Sequence, residues 1–306
     1  MATTDRREAT ELALPRPTAG GLFGGITPSS RLYWLRRLST NRVAISSALF
    51  IILVVILAIL APVVTPYDDR TVEPLDRLQP PSRTHWFGTD DLGRDVLTRL
   101  LYGARVSLVV GALVTLIAAT VGSLLGLLSG YYNRLDTPVM RVMDGLMAFP
   151  SILLAIAIMA SLGQEVRNVV IALSIVYVPT IARLVRSSTL VNKNQPFVES
   201  GRAIGHRDYM ILGRYIFRNS LSPLIVQCTF VVAFAIISEA SLSFLGAGAD
   251  PQTPTWGNML RDGQRVLQRA WWMAVFPGTA LFLLVLALNL LGDGLRDALD
   301  PRSRQR

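Results

Sequence analysis

Six apolar stretches, each of about 20 residues, recur along this chain of 306 residues. At 1.5 Å per helical residue, each can cross roughly 30 Å of hydrocarbon. They fall at residues 44–64, 106–129, 139–162, 168–187, 222–244 and 272–292. With 51% hydrophobic and only 17% charged residues, the chain has too few polar side chains to cover six such helices in water. The expected fold is all-α, a six-helix membrane domain over residues 36–302. A tail at 1–35 precedes it and a short end at 303–306 follows. The tail carries Arg6, Arg7, Pro15, Pro17 and small residues through Gly25 without an apolar period, so disorder is expected there. The first apolar stretch begins more than forty residues in and exceeds a usual h-region, which argues for a retained helix over a signal peptide.

Charge gives these crossings a direction. The tail, the links at 130–141 and 183–221 and the C-terminus hold twenty Arg or Lys against nine Asp or Glu, whereas the other three segments hold ten of each. The positive-inside rule places the first set, with both termini, in the cytoplasm. The net charge of +9 thus reflects membrane orientation. No continuous Arg stripe with interleaved aromatics points to nucleic acid. Cys228 is the only cysteine, which excludes an internal disulfide.

Within the spans, Gly122 and Gly126 form a small-xxx-small pair that permits close helix contact, and Gly111 lies on the same stretch. Pro150 and Pro179 predict kinks. Two acids fall inside spans, where charge is costly. Asp144 has Arg141 at i−3 as a partner for a structural pair, with gating as the alternative. Glu239, beside Ser238, Ser241 and Ser243, could meet a cationic group of a passing solute or make a helix-packing hydrogen bond. Trp271 and Trp272 form an interfacial anchor for the last span.

Chemistry concentrates between the fourth and fifth spans, in a link at about 193–221. It contains Phe197-Val198-Glu199-Ser200-Gly201-Arg202-Ala203-Ile204-Gly205-His206-Arg207-Asp208. Glu199 lies early in an expected helix, where its charge suits the dipole, and Gly205 supplies a flexible turn. This segment resembles the EAA loop of ABC importer permeases. Glu199 and Gly205 match in type and spacing, Ser200 and Gly201 replace the two alanines, and Ile216 matches the later isoleucine. Arg218 stands where that family has proline.

The resemblance spans about residues 35–302. His85 to Val96, containing Gly88, Asp90, Gly93, Arg94 and Asp95, and then Tyr102 to Arg105, resemble the external loop of the dipeptide, oligopeptide and nickel permease family, C-type subunit. Asp144 with Phe149-Pro150-Ser151, Pro223 to Val226, Glu239 to Gly246, Trp256-Gly257 and Asn289 to Pro301 fit it too. This resemblance implies a type I ABC importer (MetI-like) permease fold in a bacterial inner membrane. The implied partners are a homologous B-type permease, two cytoplasmic ATP-binding subunits and an external solute-binding protein. Peptides are the implied cargo, moved by alternating access; nickel, glutathione or another small solute is the alternative.

The chain's own residues agree that ATP hydrolysis lies elsewhere. A Walker A loop needs a lysine after a Gly-rich turn, and the only lysine is Lys193, between Asn192 and Asn194. ATP and Mg²⁺ are therefore expected on partner subunits, and no cofactor on this chain. His85 and His206 are the only histidines and fit no metal-ligand spacing. A proton-coupled carrier or an intramembrane enzyme would need paired groups at facing positions, and only the separated Asp144 and Glu239 are available.

Overall fold

The computed structural model describes residues 40–299. The expected tail at 1–35 and the end at 303–306 lie outside them. Helix α1 (Arg42–Ile59) starts at Asn41, whose side chain accepts from Val43 N and Ala44 N at 3.1 Å each. A short α2 (Ala61–Val64) follows. Then come α3 (Val96–Tyr131), α4 (Asn133–Met147), α5 (Ser151–Leu162) and α6 (Val166–Asn192). The chain continues through α7 (Pro196–Ala203), α8 (Asp208–Met210) and a π-helical turn (Ile211–Phe217) into α9 (Arg218–Phe244). Helices α10 (Trp256–Arg265) and α11 (Trp272–Leu299) complete it. Among the described residues the β-structure is one isolated bridge, Thr89 to Asp95.

The most extensive contact joins α3 and α6, and small residues explain it. A Cβ added at Gly122 would lie 2.7 Å from Ile181 Cβ, at Gly126 2.5 Å from Ala182 O, and at Gly130 2.7 Å from Thr189 Cβ. The close approach expected from Gly122 and Gly126 is present and extends one turn further. Because the contact positions rise together along both helices, α3 and α6 run parallel. One return crossing must therefore lie between them, and α4 with α5 supplies it. Contacts of α3 with α9 run oppositely, Ser107 meeting Glu239 and Gly111 meeting Ile236. Tyr177 to Ser238 and Ser188 to Ser220 show α6 antiparallel to α9. Among the described residues five helices are long and apolar enough to span a membrane, six crossings if the α4–α5 pair counts as one. The start of α1, α7 and the end of α11 then share one end of the bundle.

The stretch at 139–162, read as one kinked span, is two helices meeting at 92°. The reason is twofold. Pro150 has no N–H to continue the ladder. Helix α4 is also amphipathic, and its acids are tied to α6. Arg186 holds Asp136 at 2.5 and 2.7 Å, and Arg183 holds Asp144 at 2.7 Å. Asp144 therefore pairs across helices with Arg183; the i−3 neighbour Arg141 is not its partner.

Gly126→Leu should drive a branched side chain into the α6 backbone and cost at least about 1–3 kcal/mol. Thermal unfolding in detergent should show a clear loss. Gly145→Ala, where an added Cβ meets nothing within 4 Å, should leave the transition unchanged or slightly raised.

Candidate functional site

At one end of the bundle, α7 lies across the base of the helices. It starts at Pro196, which needs no donor at the first helical position, and carries Glu199 in its first turn. Val198 and Gly201 face inward. Val198 packs with Ile211 and Ile216 of the π turn and with Leu127 and Tyr131 of α3. Gly205, at φ +81°, ends the segment in a conformation that side-chain-bearing residues resist. Three polar residues brace this end. Asp208 accepts from Tyr131 Oη at 2.7 Å and Tyr132 Oη at 3.1 Å, Arg202 lies over the Tyr131 ring at 5.5 Å, and His206 Nδ1 pairs with Tyr215 Oη at 3.0 Å. The Ser200 hydroxyl returns to Pro196 O. Glu199 and Arg207 are exposed and make no side-chain bond within the described residues. Beside them Phe197, Ile204 and Tyr209 are exposed too, Ile204 to 68%. The segment thus has an anchored face and an open face of mixed charge and apolar groups. Arg218, in place of proline, causes no break, and the π turn runs straight into α9.

The acids inside the spans part company. Asp144 is exposed and neutralised by Arg183. Glu239 is 1% exposed, receiving hydrogen bonds from Ser107 Oγ at 3.1 Å and Ser243 Oγ at 2.9 Å, so it ties α3 to α9 and offers no oxygen to a passing solute. Ser241 donates to Ile237 O at 2.8 Å. A feature not visible in the apolar pattern is a cavity of about 350 Å³ in the α4–α5 elbow. Leu146, Phe149 and Ser151 line it from the elbow, Tyr177 and Thr180 from α6, and Gln227 from α9.

The open face beside α7 lies at one end of a bundle of parallel and antiparallel spans. Residues 118–305 match the family described as binding-protein-dependent transport system inner membrane component. The chain belongs to that family. Residues 32–81 also match the N-terminal transmembrane domain of oligopeptide transport permease C. Relatives span nearly the whole length. A dipeptide transport system permease protein of Alkalihalophilus pseudofirmus is 45% identical, covering 88% of this chain and 89% of its own. A glutathione transport system permease protein of Escherichia coli is 50% identical with the same coverage. Among solved structures, an inward-facing MetNI methionine ABC transporter chain superposes with a TM-score of 0.56 at 17% identity. It covers 66% of this chain and 96% of that one. The fold is that of type I ABC importer permeases, and the chain is a multi-pass inner-membrane permease subunit and not itself an enzyme.

In this permease the Gly88–Asp95 motif has a plain structural role. Asp95 caps α3, accepting from Thr98 N and Thr98 Oγ1 at 2.8 Å each, and its other oxygen meets His85 Nδ1 at 3.0 Å. Asp90 accepts from Leu92 N and Arg94 N at 2.9 Å and from Arg94 Nε at 2.6 Å. Arg99, wholly buried, approaches the same carboxylate at 3.6 Å. Trp272 Nε1 donates to Thr89 O at 3.0 Å, fastening the start of α11 to this knot. Gly88 and Gly93 both have positive φ, and a Cβ at Gly93 would strike the Glu73 carbonyl. On the adjoining α10, burial raises the Asp262 carboxyl above the usual carboxylate range. Asp91 raises it further, while Arg99, Arg94 and Arg265 oppose the shift.

Asp95→Ala should cost about 2 kcal/mol by removing the cap and the His85 bond, and Asp95→Asn should recover part of it; thermal unfolding measures both. For Asp262 the folded state binds its proton more tightly than the unfolded chain. Its ionisation therefore lowers stability as pH rises from the unfolded value through the raised one. Asp262→Asn should flatten that part of the stability–pH curve.

Proposed function

We propose that this permease carries short peptides into the cell, driven by ATP hydrolysed on partner subunits that dock on α7. The observation that carries the coupling half of this reading is the two-faced α7. Val198 and Gly201 fix it to the bundle, while Glu199 and Phe197 on the helix and Ile204 and Arg207 just beyond it are exposed, the two charged groups without a partner among the described residues. Such a face suits a groove in an ATPase subunit. The excess of Arg and Lys at this end supports a cytoplasmic position for it, with both chain termini on the same side. A homologous second permease, two ATP-binding subunits and an external solute-binding protein complete the importer, with ATP and Mg²⁺ bound by the ATPases. Coupling requires that the contact free energy at α7 differ between the conformations, since a docking partner that favours neither shifts nothing.

The names of relatives support the cargo, dipeptide for one and glutathione for another. Glutathione is the specific second reading because that relative reaches 50% identity. It is itself a small peptide-like solute, so the chemistry asked of the path is similar. The carrier and enzyme readings have no facing pair to rest on, because Asp144 is bound to Arg183 and Glu239 is enclosed by two serines.

Co-expression with the partner subunits tests the coupling role. Glu199→Lys reverses the charge on the open face, and Gly205→Pro forbids the positive φ. Each should reduce ATP-dependent uptake about tenfold or more while membrane insertion stays normal. Undiminished uptake in both variants would sink the assignment.

A further inference from the structure

Polar side chains in the spans mostly satisfy themselves. Ser174 donates to Val170 O, Thr189 to Val185 O, Thr279 to Val275 O and Asn289 to Val285 O, and Ser188 pairs with Ser220. Thr115 and Ser123 of α3 are buried without a partner among the described residues, and three further unbonded side chains gather around the elbow cavity. Ser151 of α5, Thr180 of α6 and Gln227 of α9 have no side-chain hydrogen bond within the described residues, and all three line the same cavity of about 350 Å³. Tyr177 Oη, on the same wall, bonds Ser238 Oγ at 2.8 Å. Thr180 sits near the middle of α6, three residues before Arg183. Gln227 also borders a second cavity of about 440 Å³, with Ser222 and Arg296, towards the α7 end. Two hollows thus lie along α9 and share Gln227.

Lipid cannot occupy this place at low cost. An acyl chain offers no partner for an amide, and each unsatisfied group in hydrocarbon costs several kcal/mol. The helix break at 148–150 adds to the argument, because irregular backbone at membrane depth is tolerated only beside protein or a water-filled cavity. A neighbouring helix has its backbone groups already bonded to one another, so it could answer these side chains only through polar side chains of its own. A short extended peptide is the opposite case, with free N–H and C=O groups at every residue. A primary amide is both donor and acceptor, so one Gln side chain can bond the N–H and the C=O of one residue in an extended peptide.

We infer that Gln227, with Thr180 and Ser151, forms a way-station that hydrogen-bonds the backbone of the peptide in transit, making Gln227 a specificity-determining residue for peptide over non-peptide cargo. The inference rests on the peptide reading of the function. Backbone recognition would tolerate varied side chains, which would face the apolar part of the wall, with Leu146, Phe149, Leu154, Val231 and Phe234 among its residues.

The test uses the complete complex, reconstituted in vesicles with its binding protein, and radiolabelled tri-alanine as probe. Gln227→Leu should raise KM for uptake about tenfold, the worth of roughly one hydrogen bond, while Gln227→Asn stays within about threefold of wild type. In a Cys228→Ser background, Gln227→Cys should react with a charged, membrane-impermeant methanethiosulfonate, and tri-alanine should slow that reaction several-fold. Wild-type uptake combined with an unchanged KM in Gln227→Leu overturns the inference alone. So does a Gln227→Cys variant that stays unreactive at every stage of the ATP cycle, which would assign the cavity to lipid or to the partner permease. A wild-type complex that hydrolyses ATP yet takes up no tri-alanine overturns the peptide reading and this inference with it.

Discussion

The architecture depends on the direct approach of two backbones. Helices α3 and α6 touch along Gly122, Gly126 and Gly130, where no side chain separates them. In a bilayer no hydrophobic force draws helices together, so van der Waals contact at short range must hold them. That parallel pair forces the chain to return once between them. It also creates the wall against which α4 must lie, because Arg183 and Arg186 project from α6 to meet Asp144 and Asp136. The elbow, its cavity and the face of α9 opposite follow from where that wall stands.

A second fixed point lies at the other end. The carboxylates of Asp90 and Asp95, nearly enclosed by protein, are met by Arg94, His85, Thr98 and backbone amides. These two carboxylates are well paired, although both terminal nitrogens of the buried Arg99 lack a hydrogen-bond partner among the described residues, and removing one member would leave the others stranded. Through Trp272 and Thr89 the knot joins the second span to the last. One end of the bundle is therefore locked by buried polar bonds, while the end bearing α7 combines a small apolar cluster around Val198 with the more exposed contacts of Asp208, Arg202 and His206.

Much of this was legible in the residues. Apolar length gave the crossings, and the Gly122–Gly126 spacing gave the tightest contact. What escaped depends on groups distant in sequence. Asp144 had a basic neighbour at i−3, yet its partner is 39 residues away on α6, since the local pattern cannot show which helix lies alongside. Pro150 announced a kink without its size; the 92° bend needs the polar face of α4 to be held elsewhere. Glu239 illustrates the reverse. Its serine neighbours were visible, and Ser243 does bond it, but the second donor is Ser107, 132 residues earlier. Gln227 looked unremarkable in an apolar run because hydropathy does not reveal that its amide goes unanswered.

From the π turn to Phe244 the chain is helical without interruption, a span of 37 residues counted from Asp208. At 1.5 Å per residue that is a rod of about 55 Å. Helix α7 grips the rod at Ile211 and Ile216, Gln227 lies partway along it, and Glu239 is clasped near its far end by Ser107. A displacement applied at the α7 end of such a rod would reach the cavity wall as a swing or twist of Gln227, without any need for the intervening residues to relay a signal.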